Sequence, residues 1–220
     1  MKSGIYAALA ATLLLASNAA SATTLEVVSG STGMRSTTIP YLGSVGQSFT
    51  AFDTNLSSVG FQFNALNAGS GGAPFTLSLL SGSTVRGTAL FTKTFSLPTS
   101  INSRTATWFD IDISGWNVLA GEVYSFVLTT TSSRNGIVLG PEITYPSNQP
   151  TSGDAYAGGT ALFGRAPGYA ECAQGLCDLN FRITATTPAI PEPASWALMI
   201  GGFALVGASM RRTTRTVAFA

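Results

Sequence analysis

The sequence predicts an all-β fold: two antiparallel sheets stacked as a sandwich, flanked by an N-terminal signal peptide and a single C-terminal transmembrane helix. Three observations lead to it. Within residues 23–187, short runs rich in Val, Phe, Thr and Ile alternate apolar with polar positions, which is the two-residue period of a half-buried strand. Gly, Ser, Asn and Pro separate these runs as turns require. Helix-length apolar runs occur instead at the two ends of the chain, each beside basic residues.

Nine strands are expected in order, at 25–28, 47–52, 57–64, 74–80, 89–97, 105–113, 123–130, 136–139 and 179–185. In SVGFQFN, Val59, Phe61 and Phe63 fall on one face, with Gly60, Gln62 and Asn64 on the other. WFDIDI repeats the pattern, with Phe109, Ile111 and Ile113 set against Trp108, Asp110 and Asp112. One buried face per strand, in so many strands, requires two sheets packed face to face. The alternation nominates Phe61, Phe63, Phe109, Ile111, Tyr124, Phe126 and Phe181 for the core, Tyr124 and Phe126 depending on strand register. Ala120-Gly121-Glu122 reads as a turn, and Trp116 is expected at a sandwich corner.

The 220 residues suffice for one domain of ordinary size plus processing segments. Charged residues make up 10% of the chain and apolar residues 45%, a mixture too apolar for disorder. A net charge of +1 gives no reason to expect nucleic acid, which needs clustered Lys and Arg. Histidine is absent, which excludes a Ser-His-Asp triad, a Cys-His pair and an HExxH zinc site within this chain. Only carboxylate chemistry stays open. No catalytic residue, cofactor or metal site is assigned.

The N-terminal residues 1–22 read MKSGIYAALAATLLLASNAASA. Lys2 supplies a positive end, 4–16 an apolar stretch, and Ala20-Ser21-Ala22 the small-x-small pattern that signal peptidase accepts. A stretch of thirteen residues (4–16) is short for an uncleaved membrane anchor. The mature chain is expected to begin at Thr23, outside the cytoplasm.

The C-terminal segment, 188–220, opens on Pro191-Glu192-Pro193. Residues 194–210 follow without a charge, seventeen positions at the lower limit for a helix crossing a bilayer. Pro193 suits the first helical turn, and Trp196 one membrane interface. Arg211, Arg212 and Arg215, in the basic tail 211–220, form a stop-transfer cluster that the positive-inside rule keeps cytoplasmic. Gly201, Gly202 and Gly207 weaken the helix as a permanent anchor. A plain single-span anchor is the alternative. A buried helix of a soluble domain would not need arginines at one end only.

Pro-Glu-Pro, short apolar span and basic cluster, in that order behind a signal peptide, closely resemble the PEP-CTERM sorting signal of Gram-negative bacteria over residues 190–215. The resemblance implies recognition and cutting by an exosortase, a membrane transpeptidase. It also implies transient anchoring in the inner membrane, then delivery to the cell surface or extracellular matrix of bacteria that make exopolysaccharide. Thr213 to Ala220 extend further past the Arg pair than in many family members. In the middle of the chain, Gln47-Ser48-Phe49-Thr50, FTLSLL, WFDIDISGWNVLAGEVYSFVLT and DLNFRIT resemble, in that order, extracellular jelly-roll domains. That second resemblance implies a jelly-roll-like sandwich and no particular ligand.

A few residues are candidates for chemistry. Cys172 and Cys177 are the only cysteines, with four residues between them. In an exported chain such a pair reads as a disulfide, since a redox pair is more often CxxC and a zinc site needs two further ligands. Trp108, Asp110 and Asp112 share a strand face, where an aromatic beside carboxylates suits sugar stacking and hydroxyl binding. The plainer reading is an ordinary solvated strand surface, since exposed polar residues on strands are the norm. Two acids on successive outward positions lie about 7 Å apart by strand geometry alone, so their spacing says little about glycosidase chemistry. In the loop 151–159, Asp154 and Tyr156 are further glycan candidates. No DxDxDG pattern favours calcium there, and Gly158-Gly159 reads as a turn. Three functions follow: a non-enzymatic exported sandwich associated with polysaccharide and biofilm, a carbohydrate-binding module, or a carboxylate-dependent glycan hydrolase.

Overall fold

The computed structural model describes residues 22–29, 35–141, 143–144, 149–150, 152–165, 170–186, 199–204 and 207. The chain divides into one unit of residues 22–187 and a second made of its two ends, 1–21 with 188–220. In the second unit, 199–204 and 207 are helical, and Met199, Ile200 and Phe203 are exposed. No helix among the described residues is long and apolar enough to cross a membrane. Residues 1–21 of the expected signal peptide 1–22, and Pro191, Glu192, Pro193, Trp196, Arg211, Arg212 and Arg215, lie outside the described residues.

The first unit is a sandwich of two antiparallel sheets. Its strands in chain order are β1 (Ala22–Val27), β2 (Ser36–Thr38), β3 (Val45–Thr50), β4 (Asn55–Ala65), β5 (Phe75–Ser81), β6 (Phe91–Phe95), β7 (Thr107–Asn117), β8 (Val123–Thr130), β9 (Asn135–Val138), β10 (Ile143–Thr144), β11 (Gln149–Pro150), β12 (Ala161–Phe163) and β13 (Phe181–Thr186). The first sheet runs β1-β13-β4-β9-β2, with β7 also paired to β4, and the second runs β12-β3-β8-β5-β6. Phe61 of β4 has both Phe181 and Phe109 as partners, and Phe63 has both Ile137 and Thr107. So β7 lies along one edge of β4, while β13 and then β9 succeed each other along the other. β10 and β11 pair separately.

Alternation accounts for the core. Val59, Phe61 and Phe63 of β4, Ile111 and Ile113 of β7, Phe126 and Leu128 of β8, and Phe181 and Ile183 of β13 are all buried. Phe49 stacks on Phe126 with centroids 4.7 Å apart, and Phe63 meets Phe75 edge-on at 5.5 Å, geometries that aromatic quadrupoles favour. Tyr124 is buried too, its hydroxyl accepting the Leu119 N–H at 3.0 Å. All nine expected strands are present, with ends displaced by a few residues.

Several positions depart from the sequence expectation. Phe109 is only partly buried, stacked on Phe95 at 5.5 Å near the edge where β7 meets β6. Trp116 is in β7 rather than at a corner, buried and stacked 5.4 Å from Phe91. The cause is a register shift opposite Ser57: Ser58 faces Asp112, but Leu56 faces Trp116. The extra residues form a bulge, where Gly115 takes φ 89°, and bulges re-aim the side chains beyond them. Simple alternation therefore fails there. The short strands β2, β10, β11 and β12 and two one-turn helices, α1 (Ile39–Leu42) and α2 (Ala170–Ala173), carry too few residues to show a period. The Ala120-Gly121-Glu122 turn is present, with Gly121 at φ 87°.

Candidate functional site

Two polar clusters stand out against this apolar frame. The first lies on the outer face of the β1-β13-β4-β7 sheet. Strand register places Glu26, Arg182, Gly60 and Asp110 in one row across four strands. Arg182 reaches over Gly60 and donates through Nε to Asp110 Oδ1 at 2.7 Å, and its terminal nitrogen pairs with Asp110 Oδ2. Its other terminal nitrogen lies 3.5 Å from Glu26 Oε2. The guanidinium carbon sits 4.7 Å from the centroid of the Trp108 ring, within cation–π range. A Cβ at position 60 would collide with Asp110 Oδ1 and Arg182 Cγ, so glycine is what lets this pair lie flat on the sheet.

Trp108, Asp110 and Asp112 do share a face, as the alternation implies. Their groups are already engaged. One face of the half-buried Trp108 ring is covered by Arg182, and Asp110 is held by the same guanidinium. Asp112 accepts from the Ser114 hydroxyl at 2.6 Å and the Ser114 N–H at 3.0 Å, and Lys93 Nζ lies 3.3 Å away. The Ser114 hydrogen bonds foremost, with Lys93 adding to them, hold its carboxyl down at about 2.

The second cluster lies at the edge where β12 joins β3, and its central residue was not singled out in the sequence. Asp178 is fully buried. Its Oδ1 accepts from Gln47 Nε2 at 2.8 Å and its Oδ2 from the Tyr156 N–H at 3.0 Å. The same N–H donates to Asp154 Oδ1 at 2.9 Å, so one amide holds two carboxyl groups together. Gln47 is also buried; its Oε1 accepts the Leu179 N–H at 2.8 Å and its Nε2 donates to the Ser48 carbonyl at 3.1 Å. Burial first, and the neighbouring Asp154 carboxyl with its hydrogen bond, push the Asp178 carboxyl up to about 7, against the opposing hydrogen bond from Gln47. Asp178 thus carries a proton well above the ordinary carboxylate range.

Tyr156 is positioned by this pair. Its ring packs edge-on against Phe181 at 5.4 Å, and its hydroxyl accepts the Thr50 N–H at 3.3 Å. The Gly158-Gly159 turn is present, with the Gly159 N–H bonded to the Tyr156 carbonyl, and it delivers the chain into β12. A groove of about 390 Å3 opens between Tyr156, Thr50 and Phe52 on one side and Thr23, Thr24 and Leu25 of β1 on the other. Cys172 and Cys177 form a disulfide, Cα atoms 4.7 Å apart, just before the buried run that ends in β13. Among the described residues, no group of three or more His, Cys, Asp or Glu side chains is placed to hold a metal ion.

Arg182, Asp178 and Gln47 are the residues that the sequence reading missed. Arg182 sits outward between inward Phe181 and Ile183, but its partner Asp110 is 72 positions away. Asp178 gave one signal, a lone acid in the run Cys177-Asp178-Leu179-Asn180-Phe181, every member of which is buried. Comparison with protein-family models gives no match to the chain, and comparison with curated proteins gives none either.

Proposed function

We propose that this chain is an exported, non-enzymatic protein of a Gram-negative cell surface or extracellular matrix. Its PEP-CTERM tail is the sorting address, read and cut by an exosortase-type transpeptidase at the inner membrane, and its jelly-roll-like sandwich is the delivered cargo, working beside exopolysaccharide. The observation that carries this reading is where the sandwich begins and ends. Its first strand opens at Ala22, paired with Thr186 at the close of its last. A cut after Ala22 and another near 191–193 would therefore remove both ends and leave every other strand intact. The Cys172–Cys177 disulfide accords with an oxidising compartment outside the cytoplasm. The lack of histidine and the pairing of the outer carboxylates Asp110 and Asp112 with Arg182 and Lys93 support a non-enzymatic role.

Intact-mass measurement of the exported protein tests this. The expected mature form lacks residues 1–22 and the arginine-bearing end, 211–220. Glu192→Ala, or joint replacement of Pro191 and Pro193, should leave a larger, membrane-held species. A wild-type mature form that still carries Arg211 to Ala220 replaces the sorting reading with a plain anchor.

A further inference from the structure

The end of the sandwich from which both termini leave is unlike the other end. Ala22 opens β1, Thr186 closes β13, and their cross-strand neighbours Asn55 and Asn117 lie at the same end. So do the close of β3 and the start of β8, where Thr50 pairs with Val123. The loops there are 51–54 and 118–122, joined by hydrogen bonds from Ala51 N–H to the Glu122 carbonyl and from Val118 N–H to the Thr54 carbonyl. Four large apolar side chains stand exposed at this end: Phe52, Leu119 (67% accessible), Val123, and Leu90 beside the start of β6. The groove of Leu25, Phe52 and Tyr156 opens beside them. At the opposite end two are exposed, Val28 just after β1 and Tyr41 in α1.

We propose that this end is a lipid-docking surface, which rests against the outer face of the membrane while the tail is still attached. The inference rests on the tail reading above, because the tail fixes the distance. Only seven residues, 187–193, separate Thr186 from the apolar run that starts at Ala194. Fully extended they reach about 25 Å. The eleven-residue β4 alone is roughly 36 Å long at about 3.3 Å per residue. The tether is therefore shorter than the sandwich, and it leaves from the end that carries the exposed apolar ring.

A handful of half-exposed side chains binds lipid weakly in a free protein. A short tether raises the effective concentration of the surface, so that weak insertion suffices until the tail is cut. After the cut the domain detaches. The chemistry also specifies the lipid. Loops 51–54 and 118–122 carry Asp53 and Glu122 and no Lys or Arg. Arg86, in the loop that leads to Leu90, turns away, its terminal nitrogen donating to the Gly164 carbonyl. Docking is thus by apolar insertion, and neither anionic headgroups nor low salt strengthen it.

The test uses the full chain with its tail intact, reconstituted in phosphatidylcholine vesicles containing a brominated phosphatidylcholine as quencher. The cysteines are paired in the disulfide, so a single introduced thiol takes a polarity-sensitive fluorophore. Asn117→Cys places it at the docking end and Tyr41→Cys at the other; both positions are exposed. Strong quenching at Asn117 and none at Tyr41 is expected, unchanged by anionic lipid and lost when Leu119→Glu is added. Equal quenching at both sites, or none at either in protein that floats with the vesicles, overturns the docking surface and leaves the tail reading standing. Protein that does not float with vesicles refutes the tail reading and removes the tether on which docking depends. A blue shift at Asn117 that grows with protein concentration and shows no bromolipid quenching makes the surface a contact between copies, and overturns the proposal.

Discussion

Replacing Asp178 by Asn isolates the buried acid. Asp178 is inaccessible to solvent, and loss of hydration is the main cause raising its carboxyl from 3.8 to about 7. The folded protein therefore keeps a proton on Asp178 at pH values where the unfolded chain has released it. Between about pH 4 and pH 7 the folded state binds more protons, so stability is fullest below that window and falls as pH rises through it. At 1.36 kcal/mol per pH unit, the displacement corresponds to a loss on the order of 4 kcal/mol. The chain has no histidine, the side chain whose ordinary value falls inside this window, to overlay the change. Asp112, held at about 2, acts in the opposite sense and lower down: its contribution is present above 3.8 and lost as pH falls towards 2.

Asn at position 178 keeps the shape, offers its carbonyl to Gln47 and an N–H to Asp154, gives up the bond from the Tyr156 N–H, which keeps Asp154 as its acceptor, and does not titrate. Urea unfolding of the 22–187 unit between pH 4 and pH 7.5 should show wild type losing stability with rising pH. Asp178→Asn should be nearly level across the window and the more stable of the two at pH 7.5. Wild-type stability that is flat or increases from pH 4 to pH 7 refutes the reasoning.

Other outcomes follow from the packing. Phe61→Ala, at a fully buried site, should cost about 3 to 5 kcal/mol in denaturant melts, whereas partly buried Phe109→Ala should cost clearly less. Asp110→Ala breaks an exposed ion pair and should cost under about 1 kcal/mol; a loss as large as that of Phe61→Ala would overturn the solvated-face assignment. Gly159→Ala should destabilise far more than Gly60→Ala, because a new Cβ at 159 meets the Ser48 backbone carbonyl and at 60 only side chains that can swing outward. Cys172 and Cys177 should resist alkylation until reduced, reduction costing roughly 2 kcal/mol through the small loop it opens; free thiols in exported protein would exclude the bond there.

What was legible in the sequence is what depends on local period. Apolar residues at every second position announce a strand, so the inward Val59, Phe61 and Phe63 of β4 and Ile111 and Ile113 of β7 could be read directly, and Val123–Thr130 coincides with β8; that Gln62 and Asn64 on the other face of β4 are buried as well could not. The turn at Gly121 followed from residue type, and the disulfide from cysteine spacing together with the expected export. Trp116 escaped because a bulge breaks the alternation just before it, and nothing in SGW reveals which strand it opposes. The polar clusters escaped for a related reason. Arg182 finds Asp110, and Gln47 finds Asp178, only after strands far apart in sequence pair in a definite register. Outward position could be predicted; partnership could not.

Partnership bears directly on the sugar-binding alternative. A platform for a sugar ring needs an open aromatic face and polar groups with bonding capacity to spare. On the β7 surface Arg182 lies against one face of Trp108 and holds Asp110, while Ser114 and Lys93 hold Asp112. A sugar stacking on that face of Trp108 would have to displace the guanidinium, and a hydroxyl seeking Asp110 would compete with a charge-assisted pair, stronger than the neutral bond replacing it. The Tyr156 ring, packed edge-on against Phe181, lines an open groove. Glycan binding, where it occurs, therefore belongs at the Tyr156 groove, and it should respond to Tyr156→Ala while remaining unchanged in Trp108→Ala. A glycan array read with both variants separates the two faces: loss of binding with Trp108→Ala alone would mean that the guanidinium yields its place, and that the cross-strand row is a closed lid over a sugar site.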